Sequence, residues 1–93
     1  MNKSVNIRLP LHVASYLADN GYYNNEYITD FILEHIDEDY NVEGYQYDNH
    51  HILYALKVSP RLHAMLVRKS LKTNRSIARL TYEMFNTEFS EKV

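Results

Sequence analysis

The sequence predicts a mainly α chain in which a strand–helix–helix unit occurs twice, joined by an acidic linker. Three observations predict it. Two short segments, residues 4–9 and 52–58, alternate apolar and polar side chains and pass directly into helical spacing. Only two glycines and two prolines punctuate 93 residues, too few turn signals for a many-stranded sheet. The apolar positions of the two segments also align: Val5 with Tyr54, Ile7 with Leu56, Leu9 with Val58, and then Val13 with Leu62, each 49 residues apart.

In SVNIRL, residues 4–9, Val5, Ile7 and Leu9 fall on one face and Ser4, Asn6 and Arg8 on the other, the pattern of a half-buried strand. Pro10 stops it. Residues 11–19 place Val13, Tyr16 and Leu17 at helical spacing. Asn20-Gly21 closes that helix, because both residue types accept left-handed backbone at a helix end. Asn24 or Asn25 caps the next helix, whose stripe is Tyr27, Ile28, Phe31, Ile32 and Ile36. Residues 37–51 lack a period and read as a linker. In ILYALKV, residues 52–58, Tyr54, Leu56 and Val58 face inward. Ser59 is a good cap and Pro60 a good first helical residue. Leu62, Leu66, Ser70 and Leu71 are expected to line the third helix, and Thr73-Asn74 to break it. Ser76 caps a last helix with Ile77, Leu80, Met84 and Phe85 on one face. The expected organisation is a first half over 1–36, a linker over 37–51, a second half over 52–88 and a tail over 89–93. In the second helix of each half the offset grows from 49 to 53, about one helical turn, so the first helix is expected to be one turn shorter than the third.

Composition narrows the function classes. Without cysteine there is neither a disulfide framework nor a thiolate nucleophile. MNKSVNIRLP lacks the apolar core of a signal peptide, and no apolar run approaches the ~20 residues of a membrane helix. A cytoplasmic protein with no membrane partner is expected. His50, His51 and His63 lack a ligand spacing, and Asp37-Glu38-Asp39 lacks that of an EF-hand, so no metal and no cofactor are expected. No serine stands in an arrangement that suggests nucleophilic catalysis, and no glycine-rich phosphate loop is present. No enzyme activity is expected. Charge is uneven beneath a net value of −2: Lys57, Arg61, Arg68, Lys69, Lys72, Arg75 and Arg79 occur with no acid among them, next to a linker carrying five acids. Nine tyrosines are present, with Tyr22, Tyr23, Tyr40, Tyr45 and Tyr47 in or near expected loops. Such residues favour interfaces.

The stretch LKVSPRLHAMLVRKSLKTNRSIARLTYEMF resembles a HicB-type domain, and SVNIRLPLHV resembles the start of Arc. Together they cover about 70 residues and point to the ribbon-helix-helix family of Arc, MetJ and HicB-type antitoxins. The resemblance implies a short two-stranded antiparallel β-ribbon covered by four helices. With both copies on one chain, it implies a tandem ribbon-helix-helix fold that closes as an intramolecular pseudo-dimer. A homodimer in which each half finds its mate on another molecule is the alternative. The 14 residues 37–50 span up to ~45 Å, enough for the internal arrangement.

The resemblance also implies a site. In this family the ribbon enters the major groove of double-stranded DNA, a mode the Arc and MetJ examples define. The base-reading positions would be Ser4, Asn6 and Arg8 in the first strand, and Ala55 and Lys57 in the second, where Leu53 takes the remaining outward place. The start of the last helix would bind phosphate through Arg75, Ser76 and Ile77, with Lys72 and Arg79 close by. The expected function is that of a small bacterial or phage transcriptional regulator, a repressor. The alternative is a protein-binding module on the same fold, an antitoxin or a phage-encoded inhibitor of a host protein, using the acidic Tyr-rich region.

Overall fold

The computed structural model describes residues 2–40 and 50–89. Six elements follow in the order β1 (Lys3–Pro10), α1 (Leu11–Asp19), α2 (Asn25–His35), β2 (His51–Val58), α3 (Pro60–Thr73) and α4 (Ile77–Glu88). The two strands pair antiparallel, with Val5 opposite Leu56, Asn6 opposite Ala55 and Ile7 opposite Tyr54. Residues 41–49, most of the expected linker, and residues 90–93 of the expected tail lie outside the described residues.

Local chemistry sets most boundaries. Asn24 accepts a hydrogen bond from the Tyr27 amide, Ser59 from that of Leu62 and Ser76 from that of Arg79, so α2, α3 and α4 each begin on a side-chain cap. Pro60 opens α3, where its missing N–H costs nothing. Asn74 ends that helix in the left-handed region (φ 57°), and Gly21 takes φ 76° in the turn after α1. Helix α1 starts differently. Pro10 supplies no side-chain cap, and the Leu11 amide donates instead to the carbonyl of His50 at 2.7 Å.

One core joins both halves. Ile7 and Leu9 of β1 lie over Val13 and Leu17 of α1, Ile28, Phe31 and Ile32 of α2, Leu56 and Val58 of β2, Leu62 and Leu66 of α3, and Met84 and Phe85 of α4. The rings of Phe31 and Phe85 stack at 4.4 Å, and Phe89 packs on both. Phe89, the first residue of the expected tail, is therefore buried in the core.

The tandem ribbon-helix-helix pseudo-dimer does not stand. The single two-stranded antiparallel sheet takes one strand from each half, as expected, but the two halves differ in space. The ribbon is not short: each strand runs eight residues, longer than the usual five or six. Helix α3 has 14 residues against nine in α1, a difference of a little over one turn in the direction that the offset predicts. Helix α4 is buried at every position from Leu80 to Phe85, whereas α2 buries a stripe of Ile28, Phe31 and Ile32. Helix α4 also lies along β1 far more extensively than α2 lies along β2. The physical reason is that the one buried acid of α4, Glu83, is paired with Arg75 and Arg79, so α4 can occupy the middle of the molecule, while α2 keeps a solvated face. The structure is one small six-element unit that retains a β-α-α order in each half without equivalence between them. Leu71, expected to line α3 inward, is instead 78% exposed.

Among the described residues, no helix is long and apolar enough to cross a membrane.

Candidate nucleic-acid interface

Antiparallel register decides which side chains share the outer face of the ribbon. Residues alternate between faces, so three cross-strand pairs point away from the helices: Ser4 with Lys57, Asn6 with Ala55, and Arg8 with Leu53. Ser4, Asn6, Ala55 and Lys57 are exposed, and Leu53 is 62% exposed. Arg8 is half-buried, with its Nε buried. The five expected base-reading residues therefore lie on one face, but the arginine is partly withdrawn from solvent.

A two-stranded sheet has two free edges, which invite pairing with a further strand. Here both are engaged by helices. The Asn25 side-chain amide imitates a neighbouring strand at β2: its Oδ1 accepts from the Lys57 N–H at 2.8 Å and its Nδ2 donates to the Lys57 carbonyl at 2.9 Å. At β1 the Arg8 N–H donates to Thr81 Oγ1 at 3.4 Å, and that hydroxyl in turn serves the carbonyls of Ile77 and Ala78. The face of the ribbon, rather than these parts of its edges, is left open. Sequence reasoning missed both residues. Asn25 follows an asparagine already spent as a cap, and Thr81 stands beside the expected apolar stripe of α4 with no signal of its own.

The expected phosphate residues are only partly presented to solvent. Lys72 and Ser76 are exposed, and Ile77 is half-buried against the core. Arg75 donates to Glu83 Oε2 at 2.9 Å and to the Tyr40 carbonyl at 2.8 Å, and its backbone N–H donates to the Ser70 carbonyl. Arg79 Nε donates to Glu83 Oε1 at 2.9 Å. Both arginines are thus turned onto one acid that is only 1% exposed. Two guanidiniums share a single carboxylate, so the cluster keeps one net positive charge. The Arg79–Glu83 spacing of four residues was the readable signal for half of this arrangement.

Beside the cluster lies a cleft of about 430 Å3, lined by Asp39, Tyr40, Lys69, Arg75, Glu83 and Met84 among others. Lys69 closes the end of α2 by donating to the carbonyls of Ile36 and Glu38, the favourable place for a cation at a helix C-terminus. Tyr22 stacks on Tyr27 at 4.6 Å and Tyr23 packs on Tyr54 at 5.4 Å, so two of the conspicuous tyrosines serve contacts within the chain. Tyr45 and Tyr47 lie outside the described residues. The discounted histidines His50, His51 and His63 do not meet as a metal-binding group; a different set, His35, Glu38 and Glu88, does converge.

Comparison with family models, with curated proteins and with solved structures finds no match for this chain.

Proposed function

We propose that the chain is a small sequence-specific DNA-binding regulator, a repressor, that lays the outer face of its β-ribbon in the major groove, as do the ribbon-helix-helix proteins its motifs resemble. The single observation that supports this reading most is the outer face itself. Polar and basic groups of Ser4, Asn6 and Lys57 stand exposed on paired strands whose edges are partly engaged by helices. The groove, about 12 Å wide, admits such a ribbon. Asparagine matches the N6/N7 edge of adenine, lysine the O6/N7 edge of guanine, and alanine the thymine methyl. Lys72 and the exposed basic residues Arg61 and Arg68 of α3 supply sequence-independent attraction.

Selection of bound duplexes from random DNA at moderate salt tests the reading. An enriched sequence is expected. On it, Asn6→Ala should cost about 1–3 kcal/mol at one base pair. Lys72→Ala should weaken binding to all sequences alike and lower the salt slope by about one. The absence of any enriched sequence would end the proposal.

A second reading, the protein-binding module, draws on Leu53. An exposed leucine at the end of the ribbon's outer face suits an apolar contact better than a base edge. Recovery of one stoichiometric protein partner, lost on Leu53→Asp and unaccompanied by DNA binding, would favour that reading.

A further inference from the structure

Where the ends of α2 and α4 meet, three metal-ligating side chains converge. His35 closes α2, Glu38 follows in the turn, and Glu88 is the last residue of α4. His35 Nδ1 lies 3.0 Å from Glu38 Oε2 and 3.5 Å from Glu88 Oε1. All three donor atoms lie within 4.8 Å of one another. The Tyr40 hydroxyl spans the two acids, 2.5 Å from Glu38 Oε2 and 2.8 Å from Glu88 Oε1.

The proton count of this cluster is uneven. A tyrosine hydroxyl carries one proton, yet two carboxylates take positions to accept it. Two acidic side chains therefore face one another across one hydroxyl proton and one imidazole nitrogen. The neighbouring cations are occupied on the backbone of this turn: Lys69 on the Ile36 and Glu38 carbonyls, Arg75 on the Tyr40 carbonyl and Glu83. They brace the turn that carries Glu38 and Tyr40.

From this geometry we infer that His35, Glu38 and Glu88 form a binding site for a divalent transition metal of the zinc type, with Tyr40 orienting both carboxylates. Zinc–ligand bonds of about 2.0–2.2 Å set tetrahedral edges of about 3.3–3.6 Å between donor atoms; the 3.5 Å between His35 and Glu88 falls in that range, and the 3.0 Å between His35 and Glu38 lies just below it. An imidazole nitrogen among the donors selects zinc and its neighbours over calcium and magnesium, which prefer all-oxygen sites. Three protein ligands leave a fourth position for water. A bound ion would tie the last turn of α4 to the last turn of α2 without contact with the ribbon, so the inference is independent of the DNA reading.

The full chain, stripped with a chelator, is titrated with zinc, calcium and magnesium chlorides by calorimetry and thermal melting. One zinc per chain is expected. At a hundredfold excess over Kd, zinc should raise the melting temperature by about 10 °C or more, and calcium and magnesium at the same concentration should not. Glu38→Gln replaces a side chain that is 52% exposed, so the variant keeps its fold by circular dichroism and should bind zinc at least about tenfold more weakly. Tyr40→Phe should also weaken binding by about tenfold, the usual effect of losing a residue that orients a ligand. Two outcomes overturn the inference: no zinc binding by the folded wild-type chain, or zinc affinity unchanged in Glu38→Gln and Glu88→Gln, which would place the ion on other histidines.

Discussion

Glu83 shows most sharply how one residue can govern a neighbourhood. It is buried, accepts from both Arg75 and Arg79, and is the only acid in the core of the described residues. A buried ion pair adds little when intact, because desolvation offsets attraction, but removing one partner strands the others. Glu83→Ala should therefore destabilise the protein by about 3 kcal/mol or more, read as a lower midpoint in urea unfolding. A change below about 1 kcal/mol would mean that the arginines find solvent easily. Tyr27 carries a smaller effect with a defined sign. Burial first, then the nearby hydroxyls of Tyr22 and Tyr16 and the acid Glu34, raises its pKa above the ordinary 10.0. A group raised on folding favours the folded state fully below its unfolded pKa and loses that contribution as pH climbs through the folded value. Stability should then fall above about pH 10, and Tyr27→Phe should make that alkaline fall shallower in melting curves taken from pH 9 to 11.

At the scale of elements, the three capped helices can be compared with the one that lacks a side-chain cap. Ser59→Ala and Ser76→Ala should each cost about 1 kcal/mol in chemical denaturation, because each leaves a helix-end amide unserved. These caps were legible because they are local: serine before proline, serine before an apolar run, asparagine before Tyr27. The order of the six elements was legible for the same reason, since period and punctuation are local properties. The start of α1 was not. Its amide partner, the His50 carbonyl, lies 39 residues away in sequence, and no local pattern announces it. Leu71 misled for a related reason: helical spacing assigns a face, but only the neighbouring elements decide whether that face is covered. The ribbon's outer face followed from alternation once the strands were paired. The turning of Arg75 and Arg79 onto Glu83, which withdraws expected phosphate contacts, depends on how α4 sits in the middle of the fold. The expected pseudo-dimer failed on the same point.

At the scale of the whole molecule, the question is whether either half can stand alone. A self-sufficient repeat spanning residues 50–89 would pair its strand with that of a second copy and fold as a homodimer. The observed packing argues against it. The buried face of β1 rests on α4 from the other half. Phe31 of α2 stacks on Phe85 and packs on Phe89, and Tyr16 of α1 packs on Phe89 at 5.6 Å. Removing residues 1–40 would expose the apolar surround of α4 and leave β2 as a single strand, which cannot hold itself in water. Neither fragment would bury enough apolar area to offset its chain entropy. Two peptides, 1–40 and 50–93, should therefore each lack cooperative thermal unfolding by circular dichroism. Mixed in equal amounts at high micromolar concentration, they should regain helix signal and a melting transition that rises with concentration, because association replaces the covalent link. If the 50–93 peptide alone gave a cooperative melt at twice its mass by sedimentation, the halves would be independent units after all. The shared core of Ile7, Phe31 and Phe85 would then be an incidental contact rather than the basis of the fold.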